Sequence, residues 1–297
     1  MLLRVASAVA IVGSAIALTV VAGCLSTPLP VARAESTLYA GVRGARLLDS
    51  GALVVTGGGP FDREEVFEYL QRPDGGYTLL NNITAASGAY RVQARFDLDA
   101  AWRSLSAHGV GLYDGQPVAI AMQVRGMAVA IDVHPLSGSG AGASTTSASC
   151  DPDCFVNMSP SATAMFVMTR HYDFARGGEQ EFRWVGQDLD RVRTLSGGRS
   201  RLSYHGERRL RDPAGRETPI RHFSFVELLP LPDGGTFRLD FDLWTDPGHR
   251  PMGFRIRTIG GSASGILALR KGWEWLRQAL AEGSAAGLGL DEVSGHG

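Results

Sequence analysis

The sequence predicts a mainly β protein built on one large antiparallel sheet, with a single helix near the C-terminal end. Three observations predict it. Apolar and polar residues alternate with period 2 in segment after segment, clusters of Gly, Pro and Asp separate those segments, and helical spacing is confined mainly to the stretch after residue 263. The 297 residues are 20% charged and 44% hydrophobic, an ordinary globular composition with room for one large domain or two small ones. A net charge of -1 supplies no field to hold a polyanion, so no nucleic-acid partner is expected.

The first element is a leader. Arg4 opens a short positive region, and residues 5–22 follow without a charge, which is the pattern of an export signal over residues 1–23. The run ends Val21-Ala22-Gly23-Cys24, which resembles the lipobox of bacterial lipoproteins; the resemblance implies that Cys24 is diacylated and becomes the mature N-terminus. Two alternatives stay open: a cut after Ala32-Arg33-Ala34 that releases a soluble protein, and an uncleaved anchor, which would need roughly 20 apolar residues. Residues 24–36, with prolines and little charge, suit a tether between membrane and domain.

A single β domain is expected over residues 37–283. Tyr90, Val92, Ala94, Phe96 and Leu98 share one strand face, and Arg91, Gln93, Arg95, Asp97 and Asp99 share the other. Val118, Ile120, Met122 and Val124, then Met127, Val129, Ile131 and Val133, repeat the style against small or polar neighbours. In the second half Phe237, Leu239, Phe241 and Leu243 alternate with Arg238, Asp240 and Asp242, and Met252, Phe254 and Ile256 alternate with Arg255 and Arg257. Two matched turns, Arg72-Pro73-Asp74-Gly75-Gly76 and Leu231-Pro232-Asp233-Gly234-Gly235, provide the positive φ of short hairpin loops. After Leu136, residues 137–149 are Ser, Gly, Ala and Thr, too small and polar to bury anything, and the stretch 136–149 reads as a flexible loop. Leu269, Trp273, Leu276 and Leu280 recur at helical spacing over residues 264–282, with Ser264 as N-cap and Gly283 as stop. The tail 284–297 is rich in Gly, Ala and Ser, carries two acids and is expected to be disordered.

Chemistry-bearing residues are sparse. With Cys24 assigned to lipid, Cys150 and Cys154 remain as an even pair, which in an oxidising compartment reads as a local disulfide. Three residues between them fit a redox couple poorly, and no histidine is close in sequence to complete a zinc set. No metal and no cofactor is implied. Metalloprotease, P-loop, dinucleotide-binding and nucleophile-elbow signatures are absent. If the protein is an enzyme, the residues to name are His171 with Asp173 and His205 with Glu207, because positions two apart project to one side of a strand. Residues 191–221 carry nine arginines against Glu207, Asp212 and Glu217, and Arg199, Arg201, Arg208 and Arg209 are candidates for an anionic headgroup, the alternative being a solvated strand face.

A lipobox followed by a wide amphipathic antiparallel sheet resembles the open-barrel lipid carriers of the LolA and LppX kind. The segments Arg95-Phe96-Asp97-Leu98-Asp99-Ala100-Ala101-Trp102 and Phe155-Val156-Asn157-Met158-Ser159-Pro160-Ser161-Ala162-Thr163 are similar to strand-and-loop segments of a glycolipid-binding family. The resemblance covers about residues 77–210; the cysteine pair, the low-complexity stretch and the hairpins after Arg211 depart from it. It implies an open barrel or half-barrel, lipid-anchored on the cell membrane or outer membrane and facing the periplasm or exterior, with a lipid or glycolipid as partner. Physics agrees with the shape, since a sheet this wide curls and its concave apolar face needs a cover. Phe96, Met122, Met127, Phe166, Met168, Phe237, Phe241 and Phe254 are the expected lining, or else the filling of a closed core. Two other functions stay open: an exported enzyme acting on a lipid, terpenoid or sugar, and an envelope interaction module without a small ligand.

Overall fold

The computed structural model describes residues 38, 42, 44–59, 62–88, 90–113, 116–136, 143–150, 154–159, 161–188, 193–231, 234–278 and 280. Cys24, the signal and tether regions 1–36 and the tail 284–297 lie outside them.

A first antiparallel meander comprises β1 (Arg46–Thr56), β2 (Arg63–Gln71), β3 (Tyr77–Ala85), β4 (Arg91–Leu98), β5 (Ser104–Tyr113), β6 (Gln116–Arg125), β7 (Ala128–Pro135) and β8 (Ser144–Ser149). After β9 (Phe155–Ser159) and a short helical segment, a second meander comprises β10 (Glu179–Asp188), β11 (Arg193–Arg211), β12 (Glu217–Pro230), β13 (Thr236–Thr245) and β14 (Pro251–Ile259). The chain closes with β15 (Ser262–Ala263) and β16 (Leu267–Arg270). Together these form one curved sheet in the order β8-β7-β6-β5-β4-β3-β2-β1-β16-β14-β13-β12-β11-β10-β9, with β15 paired to β14. Among the described residues only the β9–β10 pair is parallel. The two edge strands, β8 and β9, are consecutive in the chain, and a disulfide between Cys150 and Cys154, Cα atoms 5.6 Å apart, joins their ends.

Side chains alternate along each strand as the period-2 pattern requires. Leu79 and Ile83, Phe96, Met122, Ile131, Phe223, Phe225, Phe241 and Phe254 point into one continuous buried core. Through it runs α1 (Met165–Met168), continued by a 3₁₀ turn over Thr169–His171, and every residue from Ser161 to Thr169 is buried. This segment is an internal plug.

Two expectations need correction. The stretch 264–282 is not one helix: its first part is extended, and Leu267–Arg270 pair with β1 while Leu267–Leu269 also pair with β14. The helical spacing had another origin, because Leu269, Leu276 and Leu280, with Trp273 packed beside them, all reach one cluster on the outer face with Ile220 and Trp244. Pairing both flanking strands outweighs local propensity there, and among the described residues of this stretch helix is found at 276–278 and 280. The loop expected over 136–149 ends early, since Ser144–Ser149 are β8, paired to β7. An edge strand needs only backbone partners, so its exposed Ser and Thr side chains are no obstacle.

Candidate functional site

The plug is held by a buried carboxyl. Period 2 places Glu65 on the same face of β2 as Phe67 and Tyr69, and it is 0% exposed. Its Oε1 accepts from Asn81 Nδ2, from the Thr163 backbone N–H and from Thr163 Oγ1, each at 2.7 Å, and its Oε2 accepts from the Ala162 N–H at 3.0 Å. The Arg63 Nε lies 4.0 Å away. Tyr69 Oη adds a bond to the Thr163 carbonyl at 2.9 Å. The free N–H groups that begin the helical segment are thereby satisfied inside the barrel.

At its far end the plug meets two strained turns. The hairpin loops 72–76, 212–216, 231–235, 99–103 and 246–250 share one hydrogen-bond pattern, residue 1 bonding to residue 5 and residue 4 back to residue 1. The fourth position has positive φ; it is Gly75, Gly215 and Gly234 in three of them, but Trp102 (φ 64°) and His249 (φ 60°) in the others. Trp102 stacks on Tyr77 at 3.9 Å between ring centroids and carries the Arg170 guanidinium 3.9 Å above its ring, and its carbonyl meets His171 Nε2 at 3.1 Å. His249 Nδ1 lies 3.0 Å from Thr169 Oγ1, and its Nε2 lies 3.3 Å from an Arg221 nitrogen. Burial, reinforced by Arg170 and Arg221, pushes the His249 pKa down to about 4.

The plug leaves one end of the inner face less covered. There a cross-strand row runs Phe182–Ser200–Glu227–Leu239–Ile259 over β10 to β14. Phe182, Leu239 and Ile259, and the adjoining Leu229, Ile256 and Phe237, are only half-buried, although they project toward the apolar interior. In the middle sit Glu227, 8% exposed, and its cross-strand partner Ser200, 0% exposed. Neither has a hydrogen-bond partner among the described residues, and desolvation alone pushes the Glu227 pKa up to about 7. Beside them Trp184, 3% exposed, lies flat over Gly186 and Gly198, where a Cβ would come within 2.5 and 2.3 Å of the ring, and its indole Nε1 is also unpartnered. A recess of about 380 Å³ at the β8–β9 seam, walled by Cys150, Cys154, Val185 and Gly197, reaches Trp184 and Gly198.

Six of the eight residues expected to line a ligand face, Phe96, Met122, Phe166, Met168, Phe241 and Phe254, contact other side chains within the filled core. Phe237 is half-buried over Gly260. Met127 is a correction: it is 67% exposed because it occupies the turn between β6 and β7, where the strand alternation has ended. The four headgroup candidates lie on β11. Arg201 pairs with Glu179 and Glu181 and Arg209 with Glu217, all at 3.6 Å, while Arg199 and Arg208 are exposed.

The catalytic pairs named from the sequence do not meet. Asp173 accepts from the N–H groups of Ala175 and Arg176 in its own loop, while His171 turns to Trp102. Glu207 pairs with Arg221 at 3.2 Å. His205 instead places Nε2 2.9 Å from Ser224 Oγ, next to a His222–Asp242 pair at 3.1 Å whose carboxylate also takes Arg255. This group lies on the outer sheet face, and among the described residues His205 has no carboxylate of its own to orient it.

Glu227 was legible in principle. In Phe223-Ser224-Phe225-Val226-Glu227-Leu228-Leu229 it falls on the phenylalanine face, and a carboxyl in an apolar register is the signal that would have found it. Ser200 and Trp184 carry no such signal, since their neighbourhood depends on strand register.

The architecture defines a curved, barrel-like β protein with an internal plug. No protein-family model matches the chain, and no curated protein matches its sequence. Among solved structures it is similar to a β-barrel-like protein of the domain of unknown function DUF1849 from Brucella abortus, at 11% identity and a TM-score of 0.46, over 74% of this chain and 94% of that one. It is also similar to a DUF1089 family protein from Pseudomonas aeruginosa, at 15% identity and a TM-score of 0.30, over 67% of this chain and 90% of that one. At these scores neither likeness bears on function.

Proposed function

We propose that this chain is a membrane-tethered envelope lipoprotein that binds a lipid or glycolipid on the inner face of its sheet. One observation carries the reading: at the end the plug leaves less covered, Phe182, Leu229, Phe237, Leu239, Ile256 and Ile259 stay half-exposed. Leaving such surface in water costs about 25 cal/mol for each Å², and an acyl or isoprenoid chain laid along the row removes that cost. Cys24 after Val21-Ala22-Gly23 supplies the tether in this reading, on the cell membrane or outer membrane.

Organic extraction of protein purified without added lipid, followed by mass spectrometry, is expected to recover near one lipid per chain. Leu239→Glu is expected to lower that occupancy several-fold by placing an unpaired charge in the row, with circular dichroism unchanged. Lipid-free native protein that also fails to take up an apolar fluorophore would overturn the reading.

A further inference from the structure

The apolar row holds two polar side chains with no partner among the described residues, Ser200 and Glu227, and Trp184, two positions along β10 from Phe182, adds a third on the same inner face. Native interiors rarely leave such groups unpaired, and here they sit together. Trp184 Nε1–H is a donor only; the Ser200 hydroxyl donates and accepts; the Glu227 carboxyl accepts, and donates as well when protonated. An alkyl ammonium could satisfy the carboxyl but would leave the indole N–H without an acceptor. An ether or ester oxygen could accept from the indole but has no proton for a carboxylate. A hydroxyl accepts from one and donates to the other.

We propose that Trp184, Ser200 and Glu227 form the polar subsite of the inner face, and that it takes the hydroxyl of a long-chain or isoprenoid alcohol. The inference rests on the lipid-binding reading and deepens it. The rest of the row supports it by chemistry: Phe182, Leu239 and Ile259 offer only apolar contact, so the hydroxyl has one place to anchor and the chain lies along the side chains around it. Burial raises the Glu227 pKa to about 7, so above that pH the group is a carboxylate that a hydroxyl can satisfy and an ether cannot.

The test uses purified full-length protein in detergent-free buffer with N-phenyl-1-naphthylamine as reporter, displaced by dodecan-1-ol, dodecyl methyl ether or dodecylamine. The alcohol is expected to compete about tenfold better than the ether, from the hydrogen bonds it alone completes. Glu227→Leu and Ser200→Ala are each expected to erase most of that preference while reporter binding is retained; Ser200→Ala is the smaller change and keeps the test open if Glu227→Leu fails to fold. Reporter binding with equal competition by alcohol and ether, or a preference both variants keep, would overturn the subsite and leave the lipid-binding reading standing. Stronger competition by the amine would make Glu227 a counter-ion and overturn the hydroxyl assignment. Absence of reporter binding altogether would remove the subsite together with the reading beneath it.

Discussion

Two residues occupy a backbone conformation that three equivalent turns give to glycine. Holding Trp102 and His249 at positive φ costs on the order of 1 kcal/mol each, and both positions direct a ring onto the plug. Trp102 covers Arg170, and His249 reaches Thr169. The histidine must be neutral there, crowded by Arg170 and Arg221, so its folded pKa near 4 lies below the ordinary value of 6.5. The folded state therefore binds fewer protons than the unfolded chain between those values. This contribution is complete above about pH 6.5 and is lost as pH falls toward 4. His249→Asn, which tolerates the same backbone, is expected to flatten that part of the stability profile. Urea midpoints taken every half unit of pH check it, and parallel profiles for native protein and variant would contradict the assignment.

At the scale of the element, the plug is a short helix that could not persist alone: four α residues and one 3₁₀ turn, far below the length at which helices hold in water. Burial of Met165, Phe166, Val167 and Met168 holds one part, and the Glu65 carboxyl fixes where the segment begins. Glu65→Gln would turn an amide N–H₂ toward backbone donors that now find an oxygen. A loss of about 3 kcal/mol is expected from chemical denaturation, whereas Glu68→Gln on the exposed face of the same strand should stay within about 0.5 kcal/mol. Equal effects would mean that the plug is positioned by packing alone. On the outer face His205 and His222 lie 4.8 Å apart between ring centroids.

For the whole molecule the decisive feature is the seam. A sheet this wide has two edges, each a row of open hydrogen-bonding groups, and here the edges are β8 and β9, joined by the Cys150–Cys154 bridge. The closed loop is small, so chain entropy gives the bridge about 2 kcal/mol; its larger effect is local. In the double variant Cys150→Ala, Cys154→Ala, amide exchange is expected to quicken first in β8 and β9, with the Phe67 and Leu79 core little affected. Exchange that speeds uniformly would place the bridge in global stability instead.

The strands were legible because alternation is a local property: Val92 to Leu98 or Phe237 to Leu243 place their own faces whatever they pair with. So were the turn glycines and the pairing of two cysteines four residues apart. Residues 267–270 were not legible, because their conformation is set by two strands more than two hundred residues away and a few residues upstream respectively, β1 and β14. Nor was the plug, whose apolar run Met165-Phe166-Val167-Met168 reads the same as a strand until Glu65 is brought beneath it. Local patterning alone specified a β architecture and the face each strand residue takes. Which polar groups meet depends on the folded chain, since register across strands brings Ser200 beside Glu227 and carries His205 away from Glu207 to Ser224. Side-chain direction repeats every two residues along a strand, whereas partnership between strands depends on the path of the entire chain.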